Sequence, residues 1–126
     1  MRLVYIAAPL TPTQAEISRA YRDFPHLAPE RARDNNRERA SRWCEYAARQ
    51  GVAPSATWIV LSGLWDDSAE NRVRGLRCDF AAIERCDELW LVGGRVSRGM
   101  DAEAWHARAY AVPVVDLTPL GEEPPR

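Results

Sequence analysis

A chain of 126 residues with 46% apolar and 28% charged residues fits a single globular domain. A formal net charge of -1 gives no electrostatic support for nucleic acid or an anionic membrane as partner. No apolar stretch approaches the roughly 18 residues that a membrane-spanning helix needs. The two histidines and three cysteines lack metal-ligand spacing, so we expect no metal site. The three cysteines form no Cys-x-x-Cys pair and fit free thiols in a reducing cytoplasm.

The amino-terminal third begins with an apolar run and continues into a proline-containing segment. Residues 3–7 are apolar, and Pro9 lies just beyond them, which predicts a first buried strand that stops near Ala8. Residues 10–33 contain three prolines and have mixed polarity. We therefore expect residues 10–33 to form a loop or a partly helical insertion, and this segment is a candidate lid.

The next segment has the pattern of an amphipathic helix. Asp34 or Asn35 is expected to cap a helix over residues 36–49, and Gly51 is expected to end it. A weaker second strand is predicted to begin at residues 52–54.

The second half of the chain alternates between helical and extended patterns. Residues 55–67 are ambiguous among a strand, a loop and a short helix. The patterns that follow predict a helix over 68–85, a strand over 88–92, a helix over 100–110 and a strand over 112–116. The tail, residues 119–126, is predicted to be disordered and to lie outside a single domain of residues 1–118.

Strands that alternate with helices predict an α/β fold. We expect a small Rossmann-like (flavodoxin-like) three-layer sandwich with a mostly parallel sheet of four or five strands. In such folds the ligand lies beyond the carboxyl ends of the strands. Residues 5–8, 54–55, 93–97 and Asp116 are therefore expected to share one rim of the sheet.

Residues 86–108 contain the most informative pattern, a strand followed by a glycine-bearing turn and a helix. Ser97 and Gly99 lie in the turn, and Glu103 falls about one turn inside the helix. Free backbone N–H groups at a helix start favour anions. Taken alone, Glu103 is either a solvated surface residue or a reactive group, and Ser97 is either a ligand contact or a helix cap.

Four segments together resemble the nucleoside 2-deoxyribosyltransferase-like superfamily, which includes the 2'-deoxynucleoside 5'-monophosphate N-hydrolases. The chain is also similar to small uncharacterised phage and bacterial proteins of that group. The segments are VYIAAP, NNRERASRWCEYAARQG, RGLRCDFAAIERCDELWLVG and SRGMDAEAWHARAYAVPV. They cover most of the chain except residues 10–33 and the tail.

The resemblance implies cleavage of an N-glycosidic bond. Glu103 matches the family nucleophile that forms a glycosyl intermediate, and Asp79 matches the carboxylate that protonates the departing base. Asp79 would need a raised pKa for this role. Tyr5 matches the phenol that orients the nucleophile, although a core aromatic is an equal alternative.

The substrate end of the family motif falls around Ser97. The monophosphate hydrolases carry a serine here against the 5'-phosphate, whereas the transferases tend to carry a carboxylate for the free 5'-hydroxyl. Gly99, Arg95 and Arg98 are the expected neighbours of that phosphate, and Ala8 is expected at the opening turn. This chain departs from the family pattern at two positions where relatives often have glycine. One is Ala8, and the other is Asp101, two residues before the nucleophile.

Three functions follow as alternatives. The first is an N-glycosidase that acts on a (deoxy)nucleoside 5'-monophosphate, the second is a deoxyribosyltransferase that exchanges bases, and the third is a nucleotide-binding module without catalysis. The resemblance implies a homo-oligomer and a small nucleoside or nucleotide substrate, and the chemistry requires no cofactor.

Overall fold

Four parallel strands form the central sheet of the computed structural model, which describes residues 1–126. The strands are β1 (Leu3–Ala7), β2 (Ala53–Ser55), β3 (Glu88–Leu91) and β4 (Val114–Asp116), in the order β2-β1-β3-β4. The helices are α1 (Gln14–Tyr21), α2 (Ala28–Arg49), α3 (Thr57–Leu64), α4 (Ala69–Ile83) and α5 (Arg98–Ala109). The predicted α/β class with a small Rossmann-like three-layer architecture is confirmed.

The strand order creates a switch point between β1 and β3. The chain leaves β1 toward β2 at one edge and leaves β3 toward β4 at the other edge. Because parallel crossovers are right-handed, α2 covers one face of the sheet while α4 and α5 pack together on the opposite face. A crevice therefore opens beyond the carboxyl ends of β1 and β3, where ligands bind in doubly wound folds.

The core surrounds β1, which lies in the middle of the sheet. All but the first residue of β1 are buried, as expected for a parallel strand covered on both faces. The largest buried side chains around it come from both helical layers and from β3, and they include Trp43, Ile83, Leu89 and Met100.

Helix α2 is longer than predicted. It begins at Ala28 instead of residue 36, and Asp34 and Asn35 lie inside it, so the predicted caps are wrong. Pro29 occupies the first turn, where its missing N–H costs no hydrogen bond. A proline interpreted as a loop residue is thus part of the helix start.

Residues 10–33 contain more regular structure than a loop. Helix α1 occupies 14–21, and the side chain of Thr13 accepts a hydrogen bond from the Glu16 N–H at 3.1 Å. The Glu16 carboxylate accepts one from the Thr13 N–H at 3.0 Å. This reciprocal capping box has a sequence signature, Thr-x-x-Glu, which could have predicted the start of α1.

The carboxyl-terminal residues lie against α2, in contrast to the predicted disordered tail. The Trp43 indole N–H donates to the Glu122 carbonyl at 2.8 Å, and Glu123 accepts hydrogen bonds from Arg42 and Arg39. The tail is ordered through Glu123 because three polar side chains of α2 hold it.

The ambiguous residues 55–67 contain the short helix α3, so the helical alternative is correct there. None of the five helices combines the length and apolar content that crossing a bilayer requires.

Candidate functional site

A cavity of about 680 Å³ opens beyond the carboxyl ends of β1 and β3. This volume is in the range of sites that hold a small organic ligand. Seven of the eight predicted site residues line it, namely Ala8, Asp79, Arg95, Ser97, Arg98, Gly99 and Glu103. The eighth, Tyr5, contacts Glu103. Residues 54–55 and Asp116, which were expected at the same rim, do not line the cavity.

The Tyr5 hydroxyl donates a hydrogen bond to Oε2 of Glu103. Both residues are buried, with 1% of Tyr5 and 7% of Glu103 exposed. Tyr5 lies in the middle of β1, and Glu103 lies on the inner face of α5, beside the buried Met100 and Ala104. The solvated alternative for Glu103 is therefore excluded, and the core position of Tyr5 also serves the site.

Burial and mutual repulsion change the acidity of the two carboxyl groups. Burial, together with the negative charge of Asp79, raises the pKa of Glu103 to about 8, although the hydrogen bond from Tyr5 opposes this rise. Burial raises the pKa of Asp79 to about 6, again opposed by the Tyr5 hydroxyl. The two carboxyl groups therefore hold one proton between them near neutral pH.

The pKa of Tyr5 lies well above its ordinary value because its hydroxyl is buried beside the negative charges of Glu103 and Asp79. Tyr5 consequently stays protonated and remains a donor. Asp79 has the raised pKa that the sequence-based interpretation requires. Burial raises the pKa of Glu103 as well, so the proton belongs to the pair of carboxyl groups.

The start of α5 offers hydrogen-bond donors to the cavity. The Ser97 hydroxyl oxygen accepts from the Met100 N–H at 3.3 Å, so Ser97 caps the helix. The backbone N–H groups of Arg98 and Gly99 precede the first intrahelical hydrogen bond and have no partner. These groups and the helix dipole make this end of the cavity favourable for an anion.

The loop before α5 is fixed by close backbone approaches. Gly93 has φ +98°, and a Cβ there would lie 2.8 Å from Cδ of Pro9. Gly94 has φ +86°, and a Cβ there would lie 3.0 Å from the Glu122 nitrogen. Only glycine fits these two positions without displacing the backbone.

Arg95, in this loop, and Arg98, at the start of α5, differ in their pairing. Arg95 donates to both carboxylate oxygens of the buried Glu16, at 3.2 and 3.0 Å. Burial raises the pKa of Glu16, but hydrogen bonds from Arg95, Asn36 and Thr13 outweigh burial and lower it. Arg98 is exposed and forms no ion pair. The charge of Arg95 is thus already neutralised, whereas Arg98 is free to meet an anion.

Residues 2–117 match the family described as a domain of unknown function (DUF7768). The chain belongs to this family. A comparison with curated proteins finds no match. The family carries no assigned activity, so the enzymatic interpretation of the site rests on its geometry and on the resemblance of its motifs.

The cavity of this DUF7768 domain also contains residues that were not predicted as site residues. Trp58 and Trp65 contribute aromatic surface, and the Trp58 indole N–H donates to the Ile6 carbonyl at 2.9 Å. Asn71, Gly75 and Leu76 lie on the same face of α4 as Asp79. Gly75 and Leu76 lie four and three residues before Asp79. This helical spacing is a signal from which α4 could have been predicted from the sequence to form one wall of the cavity.

Two polar residues near Glu103 in the sequence do not line the cavity. His106 stacks on Phe80 with ring centroids 4.0 Å apart, and its Nε2 lies 2.7 Å from Glu84, so it joins α5 to α4. Asp101 lies exposed in the first turn of α5, where a negative charge is favourable. No three His, Cys, Asp or Glu side chains converge to hold a metal ion.

Proposed function

We propose that this DUF7768 domain cleaves the N-glycosidic bond of a (deoxy)nucleoside 5'-monophosphate or a related nucleotide, with Glu103 as nucleophile. One observation carries the proposal: a buried carboxyl group that accepts a hydrogen bond from Tyr5 lines a ligand-sized cavity beside a second carboxyl group, Asp79. Burying a carboxyl group costs solvation free energy, so a glutamate without a role in the site would be expected at the surface. Two acidic groups with unequal environments are typical of sites that use one as acid and one as base.

The reaction begins with attack of an ionised Glu103 oxygen on C1' of the sugar. The C1'–N bond breaks, its electron pair stays with the base, and the Asp79 carboxyl group gives its proton to the base nitrogen. Water then attacks C1' of the glycosyl ester, ionised Asp79 takes the water proton, and the Glu103 carboxylate is released. The products are the free base and the sugar phosphate.

This sequence requires the shared proton to lie on Asp79 when the sugar is bound. Tyr5 favours that arrangement because its single hydroxyl proton is donated to Glu103, and this hydrogen bond stabilises the ionised form of Glu103. The positive charge that develops on the sugar in the transition state also favours ionised Glu103. Substrate binding is thus expected to favour the arrangement in which the shared proton lies on Asp79.

The phosphate end of the proposed substrate lies at the start of α5. The free N–H groups of Arg98 and Gly99 and the unpaired Arg98 guanidinium supply donors and positive charge there. Arg95 instead holds the loop to Glu16. A phosphate gains more from these groups than a free 5'-hydroxyl does, which favours a monophosphate hydrolase over a transferase.

We also propose that the protein acts as a homo-oligomer. Helix α3, with the sequence TWIVLSGL, is apolar on nearly all sides, yet Val60 is 60% and Leu64 76% exposed. Val73 on the neighbouring α4 is 55% exposed. An all-apolar helix normally lies buried, and a second copy of the chain would cover this surface beside the cavity.

The test is chromatographic measurement of base release from nucleosides and nucleoside 5'-monophosphates. Wild-type protein should release the base from a monophosphate faster than from its nucleoside, and Glu103→Ala should abolish release. Asp101→Asn removes an exposed carboxylate from the same helix and serves as the matched control. Release only when an acceptor base is added would indicate the transferase, and binding without release would indicate the non-catalytic module. Release that survives in Glu103→Ala would refute the proposal.

A further inference from the structure

Gly75 lies near the middle of the 15-residue helix α4, where glycine is unfavourable. Its backbone is helical, and a Cβ placed on it would meet no atom within 4 Å. Neither backbone conformation nor packing within the chain therefore requires glycine. Gly75 does line the proposed substrate cavity. A molecule bound there would explain why this helix position has no side chain.

The position of Gly75 relative to Asp79 indicates which part of the substrate it meets. The two residues are four apart, so they share one face of α4 and lie about 6 Å apart along its axis. Asp79 is the group proposed to protonate the departing base. A base within reach of Asp79 therefore lies beside the backbone of α4 at Gly75.

The walls on either side of Gly75 suit a flat aromatic group. Leu76 and Trp65 supply apolar surface, whereas Asn71, one turn before Gly75, supplies a polar end to the same wall. The wall from Asn71 to Asp79 is about 12 Å long, at about 1.5 Å per residue. Such a length accommodates two fused rings in line.

We infer that Gly75 determines the base specificity of the cavity, and that its missing side chain leaves room for a purine-sized base. This inference rests on the proposed function. A side chain at position 75 would project into the space that the second ring occupies. It would interfere less with a single ring held next to Asp79.

The experiment measures the affinity of 2'-deoxyguanosine and 2'-deoxycytidine 5'-monophosphates by calorimetry, in a Glu103→Gln background that prevents turnover. Gly75→Leu should weaken binding of the purine nucleotide at least tenfold and of the pyrimidine nucleotide less than threefold. Gly75→Ala should raise Tm by about 3 °C, because alanine favours the helix, while weakening binding of the purine nucleotide.

Gly63→Ala is the matched control, since Gly63 is a helical glycine outside the cavity whose Cβ would lie 3.4 Å from the flexible Arg37 guanidinium. It should leave both affinities unchanged. If Gly75→Leu binds both nucleotides as tightly as the parent protein, or weakens both equally, the inference is overturned but the proposed function is not. Failure of the parent protein to bind either nucleotide would overturn the proposed function as well. A lower Tm for Gly75→Ala would show that the fold itself needs this glycine, and would also overturn the inference.

Discussion

Replacing Glu103 by glutamine should stabilise the protein at neutral and alkaline pH. Glu103 is buried, and its pKa rises from an ordinary value of 4.5 to about 8 on folding. The folded protein therefore binds a proton that the unfolded chain has lost. Glutamine cannot ionise, so the variant does not require this protonation, and its carbonyl oxygen can still accept the hydrogen bond from Tyr5.

The sign and size of the effect follow from proton linkage. Between pH 4.5 and 8 the folded state binds more protons than the unfolded state, so the free energy of unfolding falls as pH rises, and above pH 8 it levels off. Between pH 4.5 and pH 7 the free energy of unfolding of the wild-type protein falls by about 3 kcal/mol, at about 1.4 kcal/mol per pH unit. Burying the glutamine amide hydrogens costs about 1 kcal/mol. The net gain of Glu103→Gln at pH 7 is therefore about 2 kcal/mol, or roughly 6–10 °C in Tm.

Thermal unfolding of both proteins from pH 5 to pH 9 measures this gain. The difference in Tm should grow from near zero at pH 5 to its full size at pH 8. Asp101→Asn, which changes an exposed carboxylate on the same helix, should not reproduce this growing difference. A variant that is no more stable than wild type at pH 8 would show that burial does not raise the pKa of Glu103.

Three further predictions concern activity and assembly. The ratio kcat/KM should have a bell-shaped pH profile with limbs near pH 6 and 8, because one proton must stay on the carboxyl pair; a flat profile would contradict this. Tyr5→Phe should lower the rate at pH 7 about tenfold and move the maximum to higher pH, since a hydrogen bond to a charged group is worth about 1.5 kcal/mol. Leu64→Glu should convert an oligomer to a monomer in light scattering, and a monomeric wild-type protein would contradict the proposed assembly.

The fold class followed from the sequence because the strands of a parallel sheet are buried on both faces. Their short apolar runs, such as residues 3–7, stand out against the amphipathic helices, and β1 ends within one residue of the predicted end near Ala8. The ends of α2 and the tail were less predictable. Pro29 indicates a loop or a helix start equally well, and the order of residues 119–123 depends on side chains of α2 that are distant in sequence.

Ala8, Arg95 and Ser97 could be placed at the cavity because the carboxyl ends of parallel strands meet at one edge. The roles expected of Asp79 and Glu103 came from the resemblance of the motifs. The partnership of Arg95 with Glu16 could not be predicted, because Glu16 lies in a segment interpreted as a candidate lid. The pairing joins α1 to the loop before α5. Arg95 lines the cavity as predicted, and its pairing with Glu16 also holds that loop in place.

The sequence also could not show that the two carboxyl groups of the site share a proton. Motif resemblance made Asp79 the acid, and in the folded protein burial raises the pKa of both Asp79 and Glu103. Both shifts depend on depth of burial, which no spacing of residues reports. They have a mechanistic consequence, because a nucleophile that shares a proton in the free protein becomes fully active only when a substrate favours its ionised form. Glu103 would then be less reactive toward other electrophiles than toward a sugar that develops positive charge in the cavity.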